Sequence, residues 1–141
     1  MTLSGQWRTP LVTVEDWPGV VSAVVRVLEE HGVGEVVTLH GWTESAFGEH
    51  PQFEHLHWVE VPTRVENLPT LVQERRAAGF TWGRDDWAWR GERPGVGAPF
   101  ELLFCHEGDV HLATDDLSLS HALARAFACL GVPLLLPGTA S

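Results

Sequence analysis

The chain has little of what would tie it to a membrane, to an oxidising compartment or to a secretory route. It has only two cysteines among 141 residues, Cys105 and Cys129, and no Cys-x-x-Cys pair, which excludes a disulfide framework. No apolar run approaches the roughly 18 residues of a membrane span, and the opening stretch MTLSGQWRTP lacks the apolar segment of a secretory signal. We therefore expect a cytoplasmic protein with reduced thiols and no contact with a membrane.

Positive charge is also scarce. The chain has nine Arg and no Lys against 19 Asp and Glu, so its formal net charge is −10. Because nucleic-acid affinity rests mainly on clustered Lys and Arg, we expect no nucleic-acid partner. There is no Gly-x-Ser-x-Gly motif, and the Gly-rich stretch at 91–99 lacks the Lys and Ser/Thr of a phosphate-binding loop, so we do not expect an enzyme of either kind.

What the chain does have is the composition of one folded domain. It is 44% hydrophobic and 20% charged, and its 141 residues suffice for one core but not for two domains of ordinary size. We predict a single domain over 1–141. Tryptophan and histidine are unusually frequent, with seven and eight residues, and are candidates for binding, for metal ligation or for core packing.

Three helices are predicted from apolar residues at helical spacing. The first covers about 17 to 31, with Asp16 as its N-cap, Pro18 in its first turn and Gly32 at its end. The second begins at residue 66 or 67 and ends at residue 79. The third begins after a cap within 115–118 and ends at residue 131.

Alternating and β-branched segments between these helices predict strands. Their order is β-α-β-β-α-β followed by a hairpin and a helix, which indicates an α+β fold with an antiparallel sheet. Residues 11–90 have the split arrangement of ferredoxin-like domains, and 99–136 add the C-terminal hairpin and helix. Pro62 is expected to end the third strand. The predicted strands are 11–15, 35–42, 53–61, 80–89, 100–106 and 110–114.

The C-terminal hairpin is expected to turn at Glu107-Gly108. A two-residue turn there pairs residue 106 with 109 and residue 104 with 111. His106 and His111 then lie on one face, and Cys105 lies on the opposite, apolar face that belongs to the core.

The start of the first helix is the first candidate site. Residues 11–42, with a strand, Glu15-Asp16-Trp17-Pro18-Gly19, a helix and a second strand, resemble the opening of ACT domains, and the resemblance extends to residue 90. ACT domains are ferredoxin-like regulatory modules, often dimeric, that bind amino acids or related ligands. The resemblance implies non-catalytic binding of an amino-acid-like molecule at Asp16, Trp17 and Gly19, and a homodimer. The same residues are also what an ordinary helix start requires.

A cluster of tryptophans suggests a different class of function. Trp82, Trp87 and Trp89 lie in one segment beside Asp85 and Asp86. Tryptophan is enriched at binding hot spots, and a negative surface attracts a basic partner. The alternative function is therefore an acidic inhibitor or immunity-type protein that binds a basic protein. The segment can also form a hairpin that pairs Trp82 with Trp87, with the aromatic side chains filling the core.

Histidines support a third hypothesis about function. Residues 53–114 resemble one β-α-β-β-β module of the vicinal oxygen chelate family, whose members bind a divalent metal through His and Glu on paired modules. The resemblance implies a metal-dependent enzyme with His55 or His57 as a ligand, and it places His111 where the family's last strand carries Glu. Two histidines at alternate positions of a strand are also, by themselves, a good start for a metal site. We expect no cofactor, with a divalent metal as the alternative.

Overall fold

The computed structural model describes residues 6–41 and 58–136 of the chain. Six strands and three helices lie within these ranges, and a short 3₁₀ turn over Val65–Asn67 precedes the second helix. No helix among the described residues is both long and apolar enough to cross a membrane. The elements are β1 (Gln6–Arg8), α1 (Trp17–Glu30), β2 (Glu35–Gly41), β3 (Trp58–Arg64), α2 (Leu68–Ala77), β4 (Trp87–Glu92), β5 (Pro99–Phe104), β6 (Val110–Thr114) and α3 (Leu117–Cys129).

The strands form one sheet in the order β1-β6-β5-β4-β2-β3, and every neighbouring pair is antiparallel. The predicted α+β class is confirmed. The ferredoxin-like order over 11–90 is not confirmed, because β4 lies between β2 and β5 and residues 11–15 form no strand. Thr13 instead accepts the backbone N–H groups of Asp16 and Trp17, at 3.1 and 3.0 Å, so the chain turns directly into α1.

The helices are where their periodicity predicts them. α1 buries its valine-rich side, including Val20, Val24 and Leu28, against the rest of the core. Asp16 occupies its N-cap position, but the Asp16 side chain makes no capping hydrogen bond, contrary to expectation. At α3 the expected cap does form, since the Asp116 carboxylate accepts the N–H of Leu119.

One hydrophobic core lies between the helices and one face of the sheet. The predicted strand over 80–89 forms only in its later part, because residues 81–85 make a tight turn and β4 begins at Trp87, and the alternative hairpin does not form. Trp17 stacks on Trp82 with ring centroids 5.4 Å apart, and Trp87 meets Trp89 edge-on at 5.5 Å. The largest fully buried side chains are aromatic: Trp17, Trp87, Trp89, Phe100, Phe104 and Phe127.

Pro62 lies within a strand, where it was expected to end one. β3 continues to Arg64, and Pro62 is paired in register with Val37 of β2. β3 is the outermost strand of the sheet, and a residue at an edge can lack a backbone N–H without breaking the ladder.

The β5–β6 turn differs from the prediction by one residue. Phe104 pairs with Val110, and the Cys105 N–H donates to the carbonyl of Asp109 at 2.9 Å, so a loop of residues 106–108 joins the strands. Gly108 closes this loop at φ 90°, a backbone conformation that glycine adopts without strain. The expected two-residue turn at 107–108 was therefore wrong.

This shift of register changes which side chains share a face. Leu103 pairs with His111, and Cys105 follows two residues later on the same face, which is the side away from the helices. Phe104, which the predicted register paired with His111, points into the core and is fully buried. Cys105 was expected on the core face; it lies on the face of His111, although it is itself only 4% exposed.

Candidate functional site

The residues predicted at the start of α1 do not present free amides to a ligand. The N–H of Trp17 donates to the Thr13 carbonyl at 3.0 Å, and the N–H of Gly19 donates to the Asp16 carbonyl at 3.1 Å. A Cβ at Gly19 would lie 3.8 Å from the side chain of Leu130. Asp16 and Gly19 are exposed, whereas Trp17 is buried in the core. Of these three positions, Trp17 is the one that borders a cavity.

Trp17 lies in the wall of a groove between the start of α1 and the end of α2. The groove has a volume of about 540 Å³. A second cavity runs between α1 and α2, and the two cavities share Trp17, Gln73 and Arg76 in their walls. The remaining residues of the first groove are Val14, Ala77, Phe80, Thr81 and Trp82.

Polar groups in this groove stand beside an aromatic wall. The guanidinium carbon of Arg76 is 6.0 Å from the ring centroid of Trp17, a cation–π distance. Arg76 is exposed and makes no ion pair with the other described residues. The buried indole N–H of Trp17 likewise has no hydrogen-bond acceptor in the described part of the chain. An exposed cation therefore lies beside the aromatic ring that lines this cleft.

The three tryptophans of the predicted partner surface lie in the core. Trp87 and Trp89 are fully buried and Trp82 is 9% exposed. The indole N–H of Trp82 donates to the carbonyl of Val12 at 2.8 Å, which fixes residues 11–14 against the core. These side chains pack in the core, and of the three only Trp82 lines the groove beside Trp17.

The predicted metal ligands are placed only in part. His55 and His57 lie outside the described residues. His111 lies on β6, and the described part of β3, which follows His57, is separated from β6 by the strands β2, β4 and β5. A site that joins His55 or His57 to His111 stays a prediction.

His111 belongs to a compact cluster at the β5–β6 turn. One ligand atom from each of Cys105, Asp109 and His111 lies within 4.8 Å of the others, and the same holds for Asp86, Cys105 and His106. The register of the hairpin produces this cluster, because Cys105 and Asp109 face each other at the end of the ladder and His111 follows Asp109 by two residues.

Within the cluster, Asp86 and His106 are hydrogen-bonded to each other. The Asp86 Oδ1 atom accepts the backbone N–H of His106 at 2.7 Å and lies 2.9 Å from its Nδ1 atom. This hydrogen bond and the negative charge of Asp86 raise the pKa of His106 above its ordinary value. The pair ties the turn to the segment before β4.

Asp109 and His111 are not satisfied in the same way. Arg8 of β1 donates to the Asp109 Oδ2 atom at 2.7 Å. The Asp109 Oδ1 atom lies 3.1 Å from the Nε2 atom of His111, yet both atoms are buried and neither has an aligned hydrogen bond to any described residue. Burial raises the pKa of Asp109, but His111 and Arg8 outweigh burial and the net pKa is lowered, so the carboxylate is charged.

Cys105 contributes a thiol that is unsuited to nucleophilic attack by itself. Burial is the main reason that its pKa is raised, and the carboxylates of Asp109 and Asp86 act in the same direction. A protonated, 4% exposed thiol is a poor nucleophile.

Sequence reasoning missed most of the residues that these two places bring together. In the hairpin cluster the available signal was the density of ligand types in Cys105-His106-Glu107-Gly108-Asp109-Val110-His111. For Arg76 there was no local signal, because its significance comes from the packing of α2 against Trp17. The residues missed are Arg8, Gln73, Arg76, Asp86, Cys105 and Asp109.

Comparison with known proteins adds no relative. No protein-family model, no curated protein and no solved structure matches this chain. The resemblances to ACT domains and to the vicinal oxygen chelate family therefore remain predictions from the sequence, and the geometry of the described residues is what bears on function.

Proposed function

We propose that the chain is a non-catalytic binding protein for a small organic acid of the amino-acid type, held in the groove beside Trp17. The observation that carries this proposal is Arg76, an exposed cation with no ion pair to a described residue, beside the aromatic wall of that groove. The ACT-like resemblance of 11–42 supports the same class of ligand.

The chemistry of the groove suits a carboxylate attached to an apolar body. An arginine guanidinium binds a carboxylate through two parallel hydrogen bonds, and Gln73, one helical turn before Arg76, supplies an amide on the same side of α2. Trp17 and Phe80, which are 1% and 4% exposed, form the apolar floor of the groove against which the remainder of the ligand would lie. A volume of about 540 Å³ is within the range of small-molecule sites.

The test is a panel of free amino acids and 2-oxo acids, examined by thermal unfolding and then by calorimetric titration. A ligand that binds the folded state raises the melting temperature in proportion to its concentration over its Kd. In Arg76→Gln the loss of a charged hydrogen bond weakens binding by about 10- to 100-fold. The matched control is Arg125→Gln, an exposed arginine of α3 outside the groove, which leaves the Kd unchanged.

Two results would contradict this proposal. One is a panel in which no compound changes the melting temperature. The other is a ligand whose affinity is the same in wild type and in Arg76→Gln. Gly19→Trp is the less informative variant, because Gly19 lines neither of the two cavities beside Trp17.

The acidic, partner-binding alternative keeps the net charge of −10 as its support. Its hot-spot residues are buried, so an interface would use other side chains. A pull-down with basic proteins at low salt tests it, and Trp87→Ala is not a suitable variant because it would open a cavity in the core.

A further inference from the structure

We propose that the β5–β6 turn binds a transition-metal ion through Cys105, Asp109 and His111, and that Zn²⁺ is the ion it fits best. This site is separate from the groove beside Trp17 and does not depend on the function proposed for that groove. It uses His111, but it needs neither His55 nor His57.

The first support is distance. The three ligand atoms all lie within 4.8 Å of one another. Ligand atoms around a tetrahedral zinc, at bond lengths of about 2.0 to 2.3 Å, lie about 3.2 to 3.8 Å apart. The observed 3.1 Å between Asp109 Oδ1 and His111 Nε2 lies just below that range. The Cys105 sulfur, within 4.8 Å of one ligand atom from each of these residues, would complete the set by moving toward them.

The second support is independent of distance and concerns hydrogen bonding. Asp109 is 2% exposed, and a buried charged oxygen without a hydrogen bond is costly. Its Oδ1 atom lies at an ion-pair distance of 3.1 Å from the buried Nε2 atom of His111, but neither atom makes an aligned hydrogen bond within the described part of the chain. A cation bound between these two atoms and the Cys105 sulfur would satisfy both of them at once.

Arg8 has the position of an outer partner. It donates to Oδ2 of Asp109, which holds the carboxylate and leaves Oδ1 toward His111. Groups that hydrogen-bond to a metal ligand in this way orient it and tune its affinity. Arg8 comes from β1, whose pairing with β6 places it opposite His111.

The neighbouring set of Asp86, Cys105 and His106 is the weaker candidate. Its carboxylate and imidazole already bond to each other, and His106 is exposed. A metal there would have to displace the Asp86–His106 hydrogen bond, whereas a metal at Asp109 and His111 replaces an ion pair without an aligned hydrogen bond and leaves the bond from Arg8 in place.

The types of ligand select the metal. A thiolate with an imidazole and a carboxylate suits zinc and its near neighbours, while Ca²⁺ and Mg²⁺ prefer sites made of oxygen. Three protein ligands leave a fourth position for water or for an added ligand, as in zinc sites that are not purely structural.

Cobalt is the direct probe, because Co²⁺ takes zinc's place and reports thiolate ligation by a charge-transfer absorption. Full-length protein is stripped with chelator under reducing conditions and titrated with Co²⁺. We expect one equivalent to produce both the thiolate-to-cobalt band and the strong visible absorption of tetrahedral cobalt. One equivalent of Zn²⁺ then removes both.

Paired variants assign the ligands. Cys105→Ser and His111→Asn lose the stoichiometric cobalt complex, whereas Cys129→Ser, which changes the other cysteine, keeps it. His106→Asn also keeps it. Arg8→Gln keeps the spectrum but weakens binding by about tenfold. His111 is 38% exposed, so we expect His111→Asn to fold. It therefore tests the proposed site even if circular dichroism shows that Cys105→Ser does not fold.

The proposal is overturned by a wild-type protein that shows no thiolate band, or by a band that survives in Cys105→Ser or in His111→Asn. Loss of the band in His106→Asn would indicate that the ion binds Asp86, Cys105 and His106 and would overturn the proposed site. A double variant of His55→Ala and His57→Ala must keep the band, and its loss would place the metal at those histidines instead.

Discussion

Two buried aspartates flank the strand β6, and their surroundings differ. Asp116 follows the strand, and its two carboxylate oxygens accept from Arg93 at 2.9 Å each, while Oδ1 also accepts the N–H of Leu119. Asp109 precedes the strand; its Oδ2 atom accepts from Arg8, and its Oδ1 atom has only the ion pair with His111 at 3.1 Å, which lacks an aligned hydrogen bond. Both side chains are 2% exposed.

The difference shows two uses of a buried charge. A buried carboxylate stabilises a fold only when its oxygens are well bonded, since desolvation otherwise outweighs the Coulombic attraction. Asp116 meets that condition and anchors α3 to the loop that precedes β5. Asp109 meets it only in part, because its Oδ1 atom has the ion pair with His111 but no aligned hydrogen bond, and the proposed metal would supply the missing partner.

The largest expected contrast comes from removing the two arginines. Arg93→Met leaves the Asp116 charge buried with one backbone donor and lowers the free energy of unfolding by about 3 kcal/mol. Arg8→Met costs about 1 kcal/mol, because Arg8 is 58% exposed and screened by solvent and because His111 remains 3.1 Å from the Asp109 carboxylate. Urea unfolding of metal-free protein measures both. Equal losses would remove the distinction between the two aspartates.

A smaller contrast is expected from the isosteric amides. Asp116→Asn weakens the charged bonds to Arg93 and costs about 2 kcal/mol. Asp109→Asn weakens one bond to an exposed arginine but also removes a poorly satisfied buried charge, so the loss stays below about 1 kcal/mol. Chemical unfolding without metal is again the measurement. A loss at Asp109 larger than at Asp116 would contradict this account of the pair.

The smallest effect is the acid dependence of the Asp116 contribution. The hydrogen bond from Arg93, against the opposing effect of burial, holds the pKa of Asp116 below its ordinary value of 3.8. A carboxyl whose pKa is lowered by folding stabilises the protein above its unfolded pKa and ceases to do so as the pH falls through its native pKa. Between pH 7 and pH 3, wild type should therefore lose more stability than Asp116→Asn. Parallel pH profiles for the two proteins would contradict the lowered pKa.

The sequence predicts local structure in this chain better than it predicts pairing. α1 and α3 follow from apolar spacing and from glycine at their ends, which are properties of neighbouring residues. The position of β4 between β2 and β5 depends on contacts across more than 40 residues of sequence, as in the pairing of Leu39 with Ala88. No local pattern encodes that choice.

The candidate site shows the same limit on a smaller scale. The sequence predicts His111 as a metal-ligand candidate from the resemblance to a vicinal oxygen chelate module. Cys105 was assigned to the wrong face, because a two-residue turn and a three-residue loop ending in Gly108 both fit the same sequence and differ by one step in register. That single step decides whether Cys105 faces the core or faces His111.

The packing of the tryptophans has an optical consequence. Trp17 and Trp82 are stacked at 5.4 Å, and Phe104 bridges from Trp17 toward Trp89. At such separations, excitation energy migrates between indoles faster than it is emitted. Light absorbed by the buried rings is therefore pooled, and a molecule that quenches or polarises Trp17 alone would alter the emission of the whole cluster. Of these three tryptophans Trp82 is the most exposed, and it lines the groove together with Trp17.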